Sequence, residues 1–182
     1  MLSVDPSDQA DGVGGEKSMF NLFKKKSYDY HVYSPIEGTM VPLSEVKDPM
    51  FSEKLLGDGC AFHLSDGMIY APISGTVTAV FPTKHAIGIL ADSGLEVLIH
   101  IGLDSIQLNG EGFMQYVMKD QTVKVGKPIM YVDVDVLKKH NIDPITMLVI
   151  PNSKVFTIVD SIETKSVNRK DVLFEVKLAS EL

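Results

Sequence analysis

The chain of 182 residues is 45% hydrophobic and carries a net charge of −7, with a pI of about 5.1. This length accommodates one globular core, the apolar runs are far shorter than the roughly 20 residues that span a bilayer, and the acidic balance argues against nucleic acid, because phosphate binding needs clustered Lys and Arg. A single cysteine, Cys60, and a start without a secretory pattern predict a soluble protein of the reducing cytoplasm.

Residues 1–29 are predicted to be a disordered leader or a cloning-derived tail. Residues 1–18 hold four acids and one base and show no hydrophobic period. Phe20, Leu22 and Phe23, beside the lysines at 24–26, are compatible with one turn of a basic amphipathic helix, although a plain flexible tail is favoured. The folded domain is therefore predicted to cover residues 30–182.

From Tyr30 onward, short stretches of Val, Ile, Tyr and Thr alternate with Gly, Pro and Asp, a pattern typical of antiparallel sheets. One helix is predicted, over 134–142. The fold class is thus all-β, a sandwich or a barrel. The predicted strands are 31–34, 37–41, 60–64, 67–70, 74–81, 86–91, 95–101, 112–117, 128–133, 145–150, 155–160 and 172–177.

An internal repeat supports this class. "YSPIEGT" at 33–39 and "YAPISGT" at 70–76 match at five of seven positions, with an offset of 37. In each copy Pro removes a backbone donor and Gly permits a bend, so the repeat predicts a strand corner that is used twice.

Five histidines are the candidates for chemistry. His31 and His140 stand in polar contexts and are assigned no role, and His63 is interpreted as structural. The remaining two, His85 and His100, lie beside apolar strands.

His100 interrupts the apolar stretch "GLEVLIHIGLD" at 94–104. Period-2 alternation predicts that a core face carries Leu95, Val97, Ile99, Ile101 and Leu103. His100 then projects from the opposite face together with Leu98, Gly102 and Asp104. This arrangement indicates an accessible site.

His85 is predicted to lie beside His100. A hairpin through "ADSG", with its turn centred between 92 and 93, places position 85 opposite position 100, where cross-strand Cβ atoms are about 5 Å apart. The residues alone leave four alternatives open: an incidental packed pair, a metal site, a nucleophile with its partner, and a phosphate carrier. Neither a zinc-binding spacing nor a G-x-S-x-G elbow accompanies the pair, so a complete metal site and a hydrolase are disfavoured.

The stretches "KLLGDGCAF", "APISGTV", "PTKHAIGI", "GLEVLIHIGLDSIQLNGEGF" and "VKVGKPI", in this order, resemble the glucose-type enzyme IIA component of the bacterial phosphoenolpyruvate-dependent sugar phosphotransferase system. The resemblance covers roughly residues 30–178. It implies an antiparallel β-sandwich of the duplicated hybrid motif type with one or two short helices.

The resemblance also implies a function. His100 would accept a phosphoryl group on Nε2 from the phosphocarrier protein HPr and pass it to a cysteine of the enzyme IIB domain of a sugar permease. His85 would support the transfer, Thr83 would belong to the same site, and the Gly102 carbonyl is the first candidate to hold Nδ1–H of His100. No cofactor and no metal of its own are expected, and the protein is expected to be a monomer.

Partner contacts are carried over from the same resemblance. Asp48 and Asp104 match the family's flanking carboxylates, which meet basic residues of the partner. An apolar ring that excludes water is predicted to include Phe51, Phe81 and Leu98, with Gly102 beside it. Regulatory target proteins are further candidate partners.

Two alternatives belong to other classes. A biotinyl or lipoyl carrier module would use Lys84 as the attachment lysine, but the neighbouring residues lack the expected motif and the chain is about twice too long. A regulatory or binding protein that keeps the fold without transfer, with zinc shared with a partner carboxylate, is the second.

Overall fold

The computed structural model describes residues 28–181. Predictions for the preceding tail lie outside the described residues. In the described part the chain forms fourteen strands, two short α-helices and three 3-10 helices. The strands are β1 His31–Tyr33, β2 Gly38–Pro42, β3 Asp58–Leu64, β4 Met68–Tyr70, β5 Gly75–Val80, β6 Ala86–Leu90, β7 Glu96–Ile101, β8 Phe113–Gln115, β9 Thr122–Val123, β10 Pro128–Val132, β11 Thr146–Ile150, β12 Phe156–Ile158, β13 Lys165–Val167 and β14 Val172–Leu178. The α-helices are α1 Pro49–Ser52 and α2 Val134–Lys139, and the 3-10 helices are Leu43–Glu45, Ser105–Leu108 and Ala179–Glu181.

All strand pairs are antiparallel. One sheet has eight strands in the order β13-β2-β3-β11-β7-β6-β5-β9, and two three-stranded sheets have the orders β4-β10-β8 and β1-β14-β12. The predicted all-β sandwich is confirmed, and the strands of the internal repeat connect its layers.

The two copies of the repeat form reciprocal corners. Tyr33 N donates to Pro72 O (3.0 Å), and Tyr70 N donates to Pro35 O (2.7 Å). Each corner leads from a small sheet, through β1 or β4, into the large sheet, through β2 or β5. The glycine of each corner is required by close approach of a neighbouring strand: a Cβ on Gly38 would lie 2.1 Å from His63 O, and a Cβ on Gly75 would lie 2.2 Å from Leu90 O.

The large sheet has an apolar cluster on each face. The main core, between the sheets, contains Leu95 and the β7 residues Val97, Ile99 and Ile101, as predicted. A second cluster lies on the other face and contains Val41, Leu43, Val46, Phe51, Ala61, Ile145, Met147 and Val149. The segment from Leu43 to Leu56 therefore covers part of the face from which His100 projects.

Several predicted elements differ from the structure. Strands β9 and β13 were missed because each pairs with its neighbour over only two or three residues. Helix α1 was also missed, since four residues are too few to show a period. The predicted helix 134–142 begins correctly but ends at Lys139, and it is capped by the Asp133 side chain, which accepts from Asp135 N and Val136 N.

Candidate functional site

His100 lies on the inner strand β7, between β6 and β11. Its backbone pairs with Ala86 on one side and Met147 on the other. Ala86 and Met147 are both buried, and His100 itself is half-buried. Its backbone neighbours across the sheet are therefore apolar. On the next strands of the sheet, Met147 pairs with Ala61 of β3, and Ala61 pairs with Val41 of β2.

The predicted register of the β6–β7 hairpin is wrong by one residue. Ala86, not His85, is opposite His100, because the turn holds three residues, Asp92 to Gly94. Ala91 N donates to Leu95 O, and Gly94, at φ +89°, donates to Ala91 O, both at 2.9 Å.

The two histidine rings nevertheless meet, with centroids 5.0 Å apart and planes at 75°. His85 stands in the β5–β6 connection, and its carbonyl accepts from Ile101 N (2.8 Å). The backbone leaves strand geometry just before it, at Lys84, whose φ is +58°. The bond to Ile101, which continues the β6–β7 pairing, and the turn before His85 together bring its ring to His100.

Thr83 holds the second ring. Thr83 Oγ1 lies 2.5 Å from His85 Nδ1, and His85 is only 6% exposed. Thr83 is therefore placed beside the two histidines, and within residues 28–181 His85 Nε2 has no hydrogen-bond partner.

Burial keeps both rings neutral. Desolvation lowers the pKa of His85. Desolvation, aided by the charge of His85, lowers the pKa of His100 to about 4, while a hydrogen bond with the Gly102 backbone and the carboxylates of Asp48 and Asp104 act in the opposite direction. The His100 ring is therefore neutral at neutral pH.

Three aromatic or apolar side chains surround the histidines. Phe51 of α1 meets His100 edge-on at 5.1 Å and is 3% exposed. Phe81 meets His85 edge-on at 5.3 Å and is 41% exposed. Leu98 is half-buried and packs with Phe51 against the second cluster. Phe81 is thus the exposed member of the predicted apolar ring, whereas Phe51 forms its floor.

The carboxylates of Asp48 and Asp104 both act to raise the pKa of His100, against the effect of burial. Asp48 caps α1, accepting from Met50 N at 2.8 Å, and this cap fixes the helix that presents Phe51. Asp104 is exposed and has φ +58°.

Gly102 has a different setting from the one predicted. It is buried, with φ +76°, and a Cβ on it would lie 3.0 Å from Leu137 Cδ2 and 3.1 Å from Ser105 Cβ. We therefore expect it to act through its backbone and not through partner contact. The chain turns here, so Leu103 packs with the second cluster and not with the main core as predicted.

Sequence reasoning missed two residues of this region: Met147, the backbone partner of His100, and Ser105, whose hydroxyl contacts the carbonyls of Ile101 and Gly102. Met147 comes from a strand 47 positions away, and no local pattern indicates that pairing. Ser105 had a signal, since a small hydroxyl residue follows the turn "GLD" at 102–104.

Residues 28–181 contain neither a metal-binding cluster nor a membrane-spanning helix. Among residues 28–181, no group of three or more His, Cys, Asp or Glu side chains is placed to hold a metal ion. No helix in the same range is long and apolar enough to cross a membrane.

Comparison with known proteins identifies the family. Residues 30–156 match the family model described as phosphoenolpyruvate-dependent sugar phosphotransferase system, EIIA 1. A glucose-specific EIICBA component of the same system from Staphylococcus saprophyticus is 46% identical over 140 residues, which are 77% of this chain and 21% of that protein. The chain thus spans about a fifth of the length of this relative.

A solved structure gives the same result. Glucose permease IIA from Mycoplasma capricolum is 37% identical, with a TM-score of 0.71, over 81% of this chain and 96% of that one. These matches favour a phosphoryl carrier over a biotinyl or lipoyl module with Lys84 as its attachment site. The chain belongs to the EIIA 1 family of the phosphoenolpyruvate-dependent sugar phosphotransferase system and is a phosphotransferase component.

Proposed function

We propose that this chain accepts a phosphoryl group on His100 from HPr and passes it to the cysteine of an enzyme IIB domain. The observation that carries the proposal is the pair of neutral rings 5.0 Å apart, of which one is held by Thr83. The partners, the sugar permease and a cytoplasmic location are parts of this proposal. Regulatory target proteins remain a prediction.

His100 is suited to be the nucleophile. With a pKa of about 4 it is neutral at pH 7 and needs no general base to attack phosphorus. The Gly102 backbone bond to the ring supports a tautomer in which Nδ1 carries the proton and donates to the Gly102 carbonyl. The Nε2 lone pair is then free to attack phosphorus.

His85 is suited to stabilise the transferred group. If the Thr83 hydroxyl donates to His85 Nδ1, the ring proton is on Nε2, and Nε2–H can donate to an equatorial phosphoryl oxygen. Phosphoryl transfer has a loose transition state with charge spread over these oxygens, so positioned donors are the main source of catalysis.

The proposed steps balance without a co-reactant. His100 Nε2 attacks phosphorus, the phosphorus–nitrogen bond of phospho-HPr breaks, and its electron pair returns to the HPr imidazole. In the second step a IIB thiolate attacks phosphorus, and the electron pair of the new phosphorus–nitrogen bond returns to His100.

The surface around the rings fits protein docking. Phe81 is exposed beside His85, and Phe51 and Leu98 close the site from below. Docking on this apolar rim excludes water and strengthens the remaining hydrogen bonds. Asp48 and Asp104, on a chain of net charge −7, favour a partner with basic residues.

The test is phosphorylation of purified protein by phosphoenolpyruvate, enzyme I and HPr. Wild type should acquire an acid-labile label, His100→Gln should acquire none, and His85→Gln should still be labelled but pass the group to IIB at least about tenfold more slowly. His63→Gln is the matched control, because His63 is exposed on β3 and should behave as wild type. Labelling of His100→Gln at the wild-type rate would refute the assignment.

A further inference from the structure

Ser105 is a buried serine directly behind the candidate site. It begins the 3-10 helix Ser105–Leu108, five positions after His100, and is 0% exposed. Its single hydroxyl proton is shared between two acceptors, Ile101 O at 2.5 Å and Gly102 O at 3.1 Å. The side chain therefore spans the two successive carbonyls by which the chain leaves β7.

The Gly102 peptide is held on its other sides as well. Gly102 N donates to Ile145 O (3.0 Å), and Leu103 N donates to Asp143 O (2.9 Å). Without Ser105, the carbonyl direction would depend on backbone bonds alone, at a glycine with φ +76°. Glycine is the residue whose backbone rotates most freely.

Gly102 lies two residues after His100, and a hydrogen bond from the ring to its backbone opposes the lowering of the His100 pKa. A carbonyl can accept only from a ring nitrogen that carries a proton, so its position selects between the two imidazole tautomers. Ser105 therefore acts on His100 through the Gly102 carbonyl, which sets the tautomer of the nucleophile.

We propose that Ser105 is a positioning residue for phosphoryl transfer: its hydroxyl holds the Gly102 carbonyl against the His100 ring, so that the proton stays on Nδ1 and Nε2 is free. The inference rests on the proposed function, in which Nε2 of His100 is the acceptor. Ser105 itself touches no substrate.

The alternative is a serine that only satisfies buried carbonyls. Ser34 provides the matched case, since it is 1% exposed and its hydroxyl donates to Ile36 O at 2.8 Å, at the end of β1. Loss of either hydroxyl removes two buried hydrogen-bond contacts, because Ser34 Oγ also accepts from Ile36 N at 3.4 Å, but only Ser105 contacts the Gly102 carbonyl. The two serines therefore separate a structural effect from a positioning effect.

The experiment compares Ser105→Ala, Ser105→Thr and Ser34→Ala. Nitrogen NMR of the His100 ring reports the tautomer, and the initial labelling rate from phospho-HPr reports transfer. We expect Ser105→Ala to show mixed tautomers and an about 5- to 10-fold lower rate, the effect of one hydrogen bond. Ser105→Thr, which restores the hydroxyl, and Ser34→Ala should keep the wild-type tautomer and rate.

Two results would overturn the inference. One is Ser105→Ala with the wild-type tautomer and rate, and the other is a wild-type His100 whose proton is on Nε2. If Ser105→Ala does not fold, Ser105→Thr is compared with Ser105→Val, which has the same shape as threonine but no hydroxyl. Equal tautomer populations in these two variants would contradict the proposal. The tautomer measurement needs no partner protein, so failure of wild type to accept phosphate would refute the proposed function separately.

Discussion

Replacing His100 with glutamine should remove a large part of the acid sensitivity of the fold. Burial and the charge of His85 hold the pKa of His100 at about 4 in the folded protein, against an ordinary value of 6.5. Between these values the unfolded chain binds a proton at this residue and the folded chain does not. The contribution to stability is therefore complete above pH 6.5 and is lost as the pH falls to about 4.

The two pKa values set the size of the effect. Between pH 7 and pH 5, His100 alone should lower the free energy of unfolding by about 2 kcal/mol, and the full loss, reached below pH 4, is about 3 kcal/mol. His85, whose pKa is lowered by burial, adds a smaller loss of the same sign. Carboxylates contribute equally to wild type and variant, so they cancel in the comparison.

Urea unfolding at pH 7, 6, 5 and 4 measures this difference. Wild type should lose about 2 kcal/mol more than His100→Gln between pH 7 and pH 5, and His63→Gln, an exposed histidine on β3, should follow wild type. An equal loss in wild type and His100→Gln would refute the reasoning that burial disfavours the charged form of His100.

Three further changes test the surroundings of the rings. Phe51→Ala should lower the free energy of unfolding by about 3–5 kcal/mol, because a 3% exposed aromatic is replaced by a cavity; a loss below about 1 kcal/mol in urea unfolding would contradict its place as the floor of the site. Thr83→Val should slow transfer to IIB about as much as His85→Gln, since it frees His85 Nδ1, and wild-type transfer in a stopped-flow assay would remove Thr83 from the site. Asp104→Asn should lower the association rate with HPr a few-fold at low salt and weaken its salt dependence, whereas an unchanged salt dependence would show that this exposed carboxylate does not steer the partner.

Local patterns predicted the parts of the fold that depend on local chemistry. Period-2 alternation placed Leu95 and three residues of β7, Val97, Ile99 and Ile101, in the core and His100 on the opposite face. The repeated Pro–Gly corner was recognised because both copies use the same residue types. Its reciprocal hydrogen bonds, Tyr33 to Pro72 and Tyr70 to Pro35, could not be predicted, since they join segments 37 positions apart.

The predicted pair of histidine rings lies together, but the register that was predicted to join them is wrong. The pairing of His85 with His100 assumed a two-residue turn, and the additional turn residue Gly94 shifts the register by one. The left-handed conformation at Lys84 offsets that shift, and nothing about a lysine indicates a positive φ. Met147 lies beside His100 through long-range strand pairing. Ser105 is held near it by hydrogen bonds from its side chain to the backbone. The residue pattern of a single strand predicts neither contact.

The central claim is that Nε2 of His100 carries the phosphoryl group. Phosphorus and nitrogen NMR of the protein, labelled by phosphoenolpyruvate, enzyme I and HPr, tests it most directly. We expect a single phosphohistidine, at Nε2 of His100, that disappears when IIB is added. A phosphoryl group on His85, or on Nδ1 of His100, would contradict it.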